Sequence, residues 1–366
     1  MFDDLIFTIR RISTGQKIVA ALLGLNLLSL AALYSSLHQA GEFAMPSLFY
    51  KQIAWIIVSW VVLFFTSRMN YRFLYFLGYI LYGLGLILLV IVEVAGRTSL
   101  GAKRWLDIGG LNFQPSELVK IAIIALLAKF FAESRERGVA RGFFFPLILV
   151  LFAAGLIFKQ PDLGTGLVIL MLFWIMGFSS GVRRWLFVLF LVLGIGACPV
   201  VWKHLKDYQK KRIVVFINPN VDPLGAGYTI IQSKIAIGSG KLAGKGFLSG
   251  TQNQFNFLPE RHTDFIFTVI AEEWGFLGSL FLLILYWIIL DAVLAQSRRL
   301  EDLYAKMLCV GIATLFFLHV FINIGMTLSI LPVVGIPLLL LSYGGTHVLA
   351  TFFLIGVFFN IMGTDR

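Results

Sequence analysis

Long apolar runs alternate with short polar segments along almost the whole 366-residue chain. Runs of about 20 apolar residues are long enough to cross the hydrocarbon core of a bilayer as helices. No stretch shows the two-residue alternation of a membrane β-barrel, whereas a helix satisfies its own backbone hydrogen bonds in lipid. We therefore predict an all-α, polytopic integral membrane helical bundle with ten transmembrane helices, at 15–37, 48–67, 72–94, 115–133, 142–160, 162–181, 184–204, 264–294, 303–330 and 335–361.

The composition agrees with this class. Hydrophobic residues make up 59% of the chain and charged residues only 13%, against about one quarter charged in a soluble domain. The net charge of +11 is spread through short connecting segments and forms no continuous basic face. This distribution favours contact with anionic membrane lipids over nucleic acid. The first apolar run follows basic residues but lacks a convincing cleavage site, which indicates an uncleaved first helix.

The distribution of Lys and Arg predicts which side of the membrane each segment faces. These residues are concentrated in the connections on the same side as the N-terminus, for example at Arg68, Arg141 and Arg298, and are sparse in the opposite short connections. Because cytoplasmic connections carry the basic excess, both termini are predicted to face the cytoplasm. The long segment 205–263 and the start of the eighth run then face outward.

The segment 205–263 is the longest stretch outside the apolar runs. Polar and apolar residues follow helical spacing from Tyr228 to Ile237, which predicts a short amphipathic helix. The glycine-rich stretch 238–246 lacks the Ser or Thr that follows Gly-Lys in a nucleotide-binding loop, so no nucleotide or organic cofactor is expected. Its backbone amides can still bind a pyrophosphate. We predict a single transmembrane domain over 1–366, with 205–263 as a large extracytoplasmic loop.

A polar cluster from Glu260 to Asp264 leads directly into the eighth apolar run. Charged groups at membrane depth are costly, so the default expectation is that they face one another or an aqueous cavity. Several such groups lie toward the outward ends of the runs, which predicts that they share a site. Besides the cluster from Glu260 to Asp264, these charged groups are Glu117, Lys120, Asp162, Glu272 and Glu273.

Each of these charges also has a purely structural interpretation. Lys120 is close enough to the interface for its amine to reach water, and Glu117, three residues away on the same helix face, then only neutralises it. Asp162 precedes a helix and can act as its N-cap. These alternatives stay open for each residue alone, and the convergence of several charges favours a functional site.

Cations on the outward side run against the usual bias. Lys103 and Arg104, together with Lys120, can receive a phosphate-bearing ligand, because Arg pairs with phosphate oxygens in a fork and Lys acts as a point charge. Cations opposite Asp264 suggest a division of labour: they hold an anionic leaving group while Asp264 removes a proton from an attacking hydroxyl. The five histidines show no metal-ligand spacing, and those within the apolar runs are expected to be packed or hydrogen-bonded inside helices.

Five sequence blocks carry a resemblance to a known family. They are Gly101–Trp105, Gln114–Lys120, Gln160–Gly166, Leu258–Phe267 and Ser342–Gly345. In this order, and with ten spans, they resemble the SEDS family of bacterial shape, elongation, division and sporulation proteins. The resemblance covers almost the whole chain and is closer to the elongation members than to the division members.

The resemblance implies a peptidoglycan glycosyltransferase that polymerises lipid II at the outer face of the bacterial cytoplasmic membrane, with undecaprenyl pyrophosphate leaving. Asp264 falls on the essential aspartate of the family, and Glu260, Arg261 and His262 then shape the turn that presents it. Family members work with a class B penicillin-binding protein, a transpeptidase, and a divalent cation (Mg or Mn) is compatible with the site. The substrate-binding candidates, from the residues and the resemblance together, are Lys103, Arg104, Glu117, Lys120, Asp162 and Gln232.

Two other functions stay open at this stage. A lipid II flippase or other transporter also suits ten spans, although transporters usually place ionisable groups near the membrane midplane. A non-catalytic scaffold for a cell-wall synthesis partner is the other. The chain departs from the family pattern at Lys241, where a glycine is expected, and at His347, where a small hydroxyl residue is usual. Neither lies in the charged blocks.

Overall fold

The computed structural model describes residues 13–38, 47–99, 102–109, 111–134, 140–204 and 207–364. Helices account for most of these residues, as the apolar runs predict. They are α1 (Thr14–Leu37), α2 (Ser47–Thr66), α3 (Arg72–Ala95), α4 (Pro115–Ala132), α5 (Phe145–Lys159, after a π-helical turn at Ala140–Phe144), α6 (Leu163–Ser179), α7 (Arg184–His204), α8 (Asp207–Ile217), α9 (Ala226–Ser239), α10 (Thr251–Gln254), α11 (Ile266–Arg299), α12 (Leu303–Thr327) and α13 (Gly345–Thr364).

A helix lies at each of the ten positions predicted for a span. Within the described ranges, seven of these helices are long and apolar enough to cross a membrane. Helix α4 carries three charged residues, and α6 has 17 residues, which is at the short end for a span. The polytopic helical membrane fold is confirmed, and the number of ten spans stays a prediction.

The start of the tenth predicted span is wrong. Residues 331–344, called here the linker segment, have no helical structure, and α13 begins only at Gly345. The linker segment is as apolar as a span, but Pro337 lacks an amide hydrogen, and Gly335 and Leu340 have positive φ angles of 71° and 66°. Non-helical backbone at membrane depth persists only where protein buries and satisfies it. The bundle must therefore supply hydrogen-bond partners along this segment.

The connection between α3 and α4 is a small antiparallel sheet that the hydrophobic pattern does not reveal. Its strands are β1 (Arg97–Ser99), β2 (Ala102–Ile108) and β3 (Leu111–Phe113), in that spatial order. Lys103 pairs with Thr98, and Leu106 pairs with Phe113. The predicted loop is thus a paired sheet, which gives the neighbouring residue Arg104 a fixed base.

Helix α4 lies at the centre of the bundle. Fifteen of its 18 residues are buried, and it packs against α3, α6 and α12. Helix α7 is the opposite case, with exposed apolar side chains such as Val188, Leu191 and Ile195, as expected of a surface that faces lipid. The charged first turn of α4 is therefore surrounded by protein.

The described part of the segment 205–263 folds against the bundle. Helix α9 confirms the short helix predicted at Tyr228–Ile237, and it packs on α11. Helix α11 itself is interrupted at Gly275, where φ is 64° and ψ is −154°, angles that glycine adopts without strain. The glycine-rich stretch 238–246 covers this break: the amides of Lys245 and Gly246 donate to carbonyls of α11 at 3.0 and 2.9 Å. Those two amides are thus already hydrogen-bonded within the protein.

Candidate active site

Asp264 lies in a tight turn directly before α11. The carbonyl of Glu260 accepts hydrogen bonds from two later amides of the turn, at 3.1 and 3.2 Å. The Nε atom of Arg261 donates to a carbonyl at the end of α1 (2.6 Å), and the carbonyl of His262 accepts from the amide of Tyr343 (2.9 Å). Glu260 thus closes the turn, and Arg261 and His262 hold it against α1 and the linker segment, as expected for residues that present Asp264.

The carboxyl group of Asp264 is partly buried and surrounded by charges of both signs. Its pKa is raised to about 7, chiefly by burial and then by the negative charge of Glu260. Arg104 and Arg212 lower this pKa, and Asp162 raises it. A carboxyl group whose pKa lies near 7 can both accept and release a proton at neutral pH.

Arg104 and Asp162 form an ion pair in the electrostatic surroundings of Asp264. The Nη1 atom of Arg104 lies 3.8 Å from Oδ1 of Asp162, and the guanidinium also donates to the carbonyl of Pro161. The Nε atom of Arg104 is buried and has no hydrogen-bond partner among the described residues. An unsatisfied buried donor is unusual, so Arg104 has hydrogen-bonding capacity left for an anionic ligand.

Asp162 is also the N-cap of α6. Its carboxylate accepts from the amide of Thr165 at 3.1 Å and from the Thr165 hydroxyl at 2.9 Å. The N-cap interpretation is therefore correct, and the same side chain pairs with Arg104. This double contact connects the start of α6 to the strand β2 that carries Arg104.

Lys103 and Gln232 occupy less central positions. Lys103 is exposed, and it precedes Arg104 on β2, so the two side chains leave opposite faces of the strand. Gln232 is half-buried on α9. The next residue, Ser233, donates its hydroxyl to the carbonyl of Thr327 at 2.6 Å, which attaches α9 to the end of α12. Their predicted substrate contacts stay predictions.

Glu117 and Lys120 form a second, more deeply buried cluster. Their side chains are 7% and 2% exposed, and the Lys120 Nζ atom lies 2.8 Å from the Glu117 carboxylate. The same Nζ lies 3.1 Å from Nε2 of His319, whose Nδ1 lies 2.9 Å from the carbonyl of Pro337. The idea that Lys120 extends its amine to the interface is wrong, because protein groups surround that amine; Glu117 does neutralise it.

The linker segment touches both clusters. A Cβ atom built on Gly335 would lie 3.2 Å from Oδ2 of Asp264, so the two residues are in close contact. The Nδ2 atom of Asn323 donates to the carbonyls of Ile336 (2.7 Å) and Asp264 (2.8 Å). The Nη1 atom of Arg212 lies 3.4 Å from the carbonyl of Val333.

Three residues near the site were not assigned a role from the sequence: Arg212, His319 and Asn323. Arg212 belongs to the basic run near 203–212, which was a usable signal. A lone histidine or asparagine in an apolar helix carries no comparable signal.

Glu272 and Glu273 belong to another part of the fold. Glu272 accepts from the Nζ atom of Lys245 (2.7 Å) and the amide of Gln252 (3.1 Å). Glu273 accepts a hydrogen bond from the hydroxyl of Ser35. Both carboxylates attach the stretch 245–252 and α1 to the first half of α11, so the expectation that they share a site with Asp264 is wrong.

No group of three or more His, Cys, Asp or Glu side chains in the described residues is arranged to hold a metal ion. Both Asp162 oxygens already accept hydrogen bonds from Thr165. A Mg²⁺ ion can bind through one or two carboxylates together with substrate phosphates and water. The residues near Asp264 thus provide no complete protein site, and the divalent cation stays a prediction.

The sequence is similar to those of known bacterial membrane proteins along most of its length. Residues 14–366 match the profile of the FtsW/RodA/SpoVE family, described as a cell cycle protein. The chain is 43% identical over 288 residues to the peptidoglycan glycosyltransferase MrdB of Escherichia coli K12, covering 77% of this chain and 76% of the relative. It is 32% identical to the peptidoglycan glycosyltransferase RodA of Treponema pallidum, covering 94% and 96% of the two chains.

Solved structures of related proteins have the same fold as this chain. A chain from a peptidoglycan synthase complex, described for its coordination of polymerization and crosslinking, matches with a TM-score of 0.81 and 31% identity over 95% of this chain and 97% of that chain. The rod shape determining protein RodA of Thermus thermophilus matches with a TM-score of 0.69 and 29% identity, over 94% and 95% of the two chains. The chain therefore belongs to the FtsW/RodA/SpoVE family, the family also called SEDS.

Proposed function

We propose that this protein is a peptidoglycan glycosyltransferase that polymerises lipid II into glycan strands for cell elongation and shape. The observation that carries this proposal is the placement of Asp264, whose pKa is raised to about 7, within the field of the cations Arg104 and Arg212. A group that can take up a proton beside groups that can hold a diphosphate is the pairing that glycosyl transfer from a lipid pyrophosphate requires. The names of the relatives support the same reaction class.

In the proposed reaction, the Asp264 carboxylate accepts the proton of the 4-hydroxyl of the acceptor sugar. The hydroxyl oxygen then forms a bond to the anomeric carbon of the growing glycan. The bond between that carbon and the pyrophosphate oxygen breaks, and undecaprenyl pyrophosphate leaves with the bonding electron pair. Burial favours the protonated form of Asp264 in the product state.

Arg104 and Arg212 are the proposed partners of the leaving pyrophosphate. Arg104 has an unpartnered Nε donor among the described residues, and an arginine fork matches phosphate oxygens. Asp162 orients Arg104 through their ion pair. Lys103 and Gln232 are proposed contacts with more distant parts of the substrate, since Lys103 is exposed and Gln232 half-buried.

Glu117 and Lys120 receive a different role from a direct contact with pyrophosphate. Lys120 is 2% exposed and already paired, so a lipid headgroup cannot reach its amine without rearrangement of the bundle. We assign the pair to the support of the substrate site. A divalent cation would be held by one or two of the carboxylates near Asp264 together with the pyrophosphate and water, and it would supply positive charge to the leaving group.

We further propose that the protein lies in the bacterial inner membrane with both termini in the cytoplasm. The basic residues of the connections support this orientation, which puts Asp264 at the outer face. The partner proposed is a class B penicillin-binding protein, a transpeptidase that crosslinks the strands. The match to a chain of a synthase complex that combines polymerization with crosslinking supports such a partner.

The test is polymerisation of fluorescent lipid II by purified protein in liposomes, with and without the transpeptidase partner. The wild type is expected to produce glycan strands, and Asp264→Asn should reduce the rate by about 100-fold or more, the range for loss of a general base. Glu93→Gln is a matched carboxylate-to-amide control, since Glu93 forms an exposed pair with Lys159, and its rate should stay near the wild type.

The same assay separates the competing functions. Strand synthesis by Asp264→Asn at the wild-type rate would contradict the role of Asp264. Exchange of labelled lipid between leaflets without any product would indicate a transporter, and neither exchange nor product in the presence of the partner would indicate a scaffold.

A further inference from the structure

We propose that His319 is a positioning residue that connects the buried Glu117–Lys120 pair to the linker segment, and through that segment to Asp264. This inference rests on the proposed function in that Asp264 is taken as the catalytic base. It concerns a histidine for which the sequence predicts only packing or hydrogen bonding within a helix. The connection runs through four hydrogen bonds and one van der Waals contact.

The first step is the orientation of the His319 ring. The Lys120 ammonium group has three donors and no acceptor, so the hydrogen bond of 3.1 Å to Nε2 requires Nε2 to accept. The proton of the neutral ring then resides on Nδ1. Nδ1 is 2.9 Å from the Pro337 carbonyl and donates to it. The buried ammonium therefore fixes both the tautomer of His319 and the direction in which its ring donates.

The second step is the hold on the linker segment. The segment has no helix or strand of its own, and only its Leu338 carbonyl accepts from later amides of the described segment. Most of its other hydrogen-bonded carbonyls therefore depend on side chains from helices. His319 binds the carbonyl of Pro337, and Asn323, one turn further along α12, binds the carbonyl of Ile336. Residues four apart lie on one face of a helix, so two side chains of α12 form hydrogen bonds with two consecutive carbonyls of the linker segment.

The third step reaches the Asp264 turn. The Asn323 amide that binds Ile336 also donates to the carbonyl of Asp264 at 2.8 Å. Gly335, the next residue back along the linker, has a φ of 71° and packs against the Asp264 carboxylate. Pro337 is two residues from Gly335. Loss of the His319 hydrogen bond would let Pro337 move, and Gly335 would then no longer be held in place against the Asp264 carboxylate.

Two substitutions separate the two hydrogen bonds of the ring. The amide of asparagine can place a donor near the position of Nδ1, whereas the longer glutamine side chain can place an acceptor near the position of Nε2. His319→Asn is therefore designed to keep the bond to Pro337 and lose that to Lys120, and His319→Gln does the reverse. Phe321→Leu, on the exposed face of the same helix, is the control for general effects on α12.

The first measurement is the steady-state rate of lipid II polymerisation. His319→Gln should lower kcat by about tenfold with little change in KM, while His319→Asn should stay within about threefold of the wild type, as expected for loss of one buried hydrogen bond from a positioning residue. Equal losses in both variants would overturn the proposal, because the Pro337 bond would then not matter. A wild-type rate in His319→Gln would also overturn it.

The second measurement does not depend on activity. The backbone amides of Leu338, Leu341, Ser342 and Tyr343 form hydrogen bonds within the linker and to the Asp264 turn, and their hydrogen exchange reports local opening. Exchange there should accelerate in His319→Gln, and remain near the wild type in His319→Asn and Phe321→Leu. Unchanged exchange in His319→Gln would refute the positioning role. If the wild type made no strands, the proposed function would fail, and this exchange result would still decide whether His319 holds the linker.

Discussion

Two charged clusters lie in the same bundle and differ in what their side chains can reach. In the cluster around Asp264, Arg104 keeps 21% of its side chain exposed and has an unpartnered Nε atom among the described residues. In the other cluster, Lys120 is 2% exposed and is paired with Glu117 and His319. The first has capacity left for a ligand, while the second is enclosed by protein and directs its ammonium at protein groups. Charge at membrane depth thus marks a functional region but does not distinguish ligand contact from support.

The largest expected effect is on stability, and it tests the support role. Glu117→Gln leaves the Lys120 charge buried without its counterion, which should lower the free energy of unfolding by about 3–5 kcal/mol. Thermal or denaturant unfolding in detergent measures this loss. Glu93→Gln breaks an exposed pair and should cost less than about 1 kcal/mol.

The double variant Glu117→Leu/Lys120→Met sharpens the same test. Removal of both charges should restore most of the stability, because well-packed apolar groups can replace a buried pair. It also removes the ammonium that orients His319, so the rate of polymerisation should stay below that of the wild type although stability returns. If Glu117→Gln were as mild as Glu93→Gln, the deep burial of the pair would be contradicted.

The next effect concerns substrate binding. Arg104→Gln should raise the KM for lipid II about tenfold or more, since a hydrogen bond to a charged group contributes about 1.5–3 kcal/mol. Lys103→Gln removes the same charge from the adjacent position, whose side chain is exposed on the other face of β2, and should change KM by less than about threefold. Steady-state kinetics with labelled lipid II measures both. Equal effects would mean that Arg104 makes no stronger contact with the lipid headgroup than the exposed Lys103 does, and would contradict its assignment to the leaving pyrophosphate.

The smallest effect is a displacement of the pH profile. Asp264 acts as a carboxylate, so activity should rise with pH through the raised pKa of about 7. Removal of negative charge in Glu260→Gln favours the carboxylate and should move this limb to lower pH, whereas Arg212→Gln removes positive charge and should move it to higher pH. Each displacement should be about half a pH unit. Glu301→Gln, in the connection between α11 and α12, should leave the limb in place; displacements in one direction for both site variants would contradict the assignment.

Sequence pattern predicted the helices because hydrophobic length alone decides whether a segment can cross lipid. It failed at the linker segment for the same reason, since the residues from Leu331 to Leu341 are as apolar as a span. Three breaks in this stretch, at Pro332, Gly335 and Pro337, were the available signal. The helix of a span needs no partner for its backbone, whereas this segment depends on side chains distant in sequence.

The candidate site was predictable in its charges and not in its neutral residues. Asp264, Arg104 and Asp162 were visible because a charge at membrane depth needs a reason, and the structure brings them into one electrostatic environment. His319 and Asn323 contribute through single hydrogen bonds to carbonyls. Those carbonyls belong to a non-helical segment that the pattern did not reveal, so their partners could not be inferred.

The break in α11 at Gly275 has a consequence for how the chain tolerates changes in length. The helix is continued across the break by the stretch 238–246, whose carbonyls at Lys241 and Leu242 accept from the amides of Phe276 and Leu277 at 2.9 and 3.1 Å. One inserted or deleted residue there would shift every one of these pairings at once. A connection between helices usually absorbs such changes freely. The stretch 238–246 instead provides the hydrogen-bond partners that a continuous helix would provide at the break. Its length is therefore as constrained as the length of a membrane span.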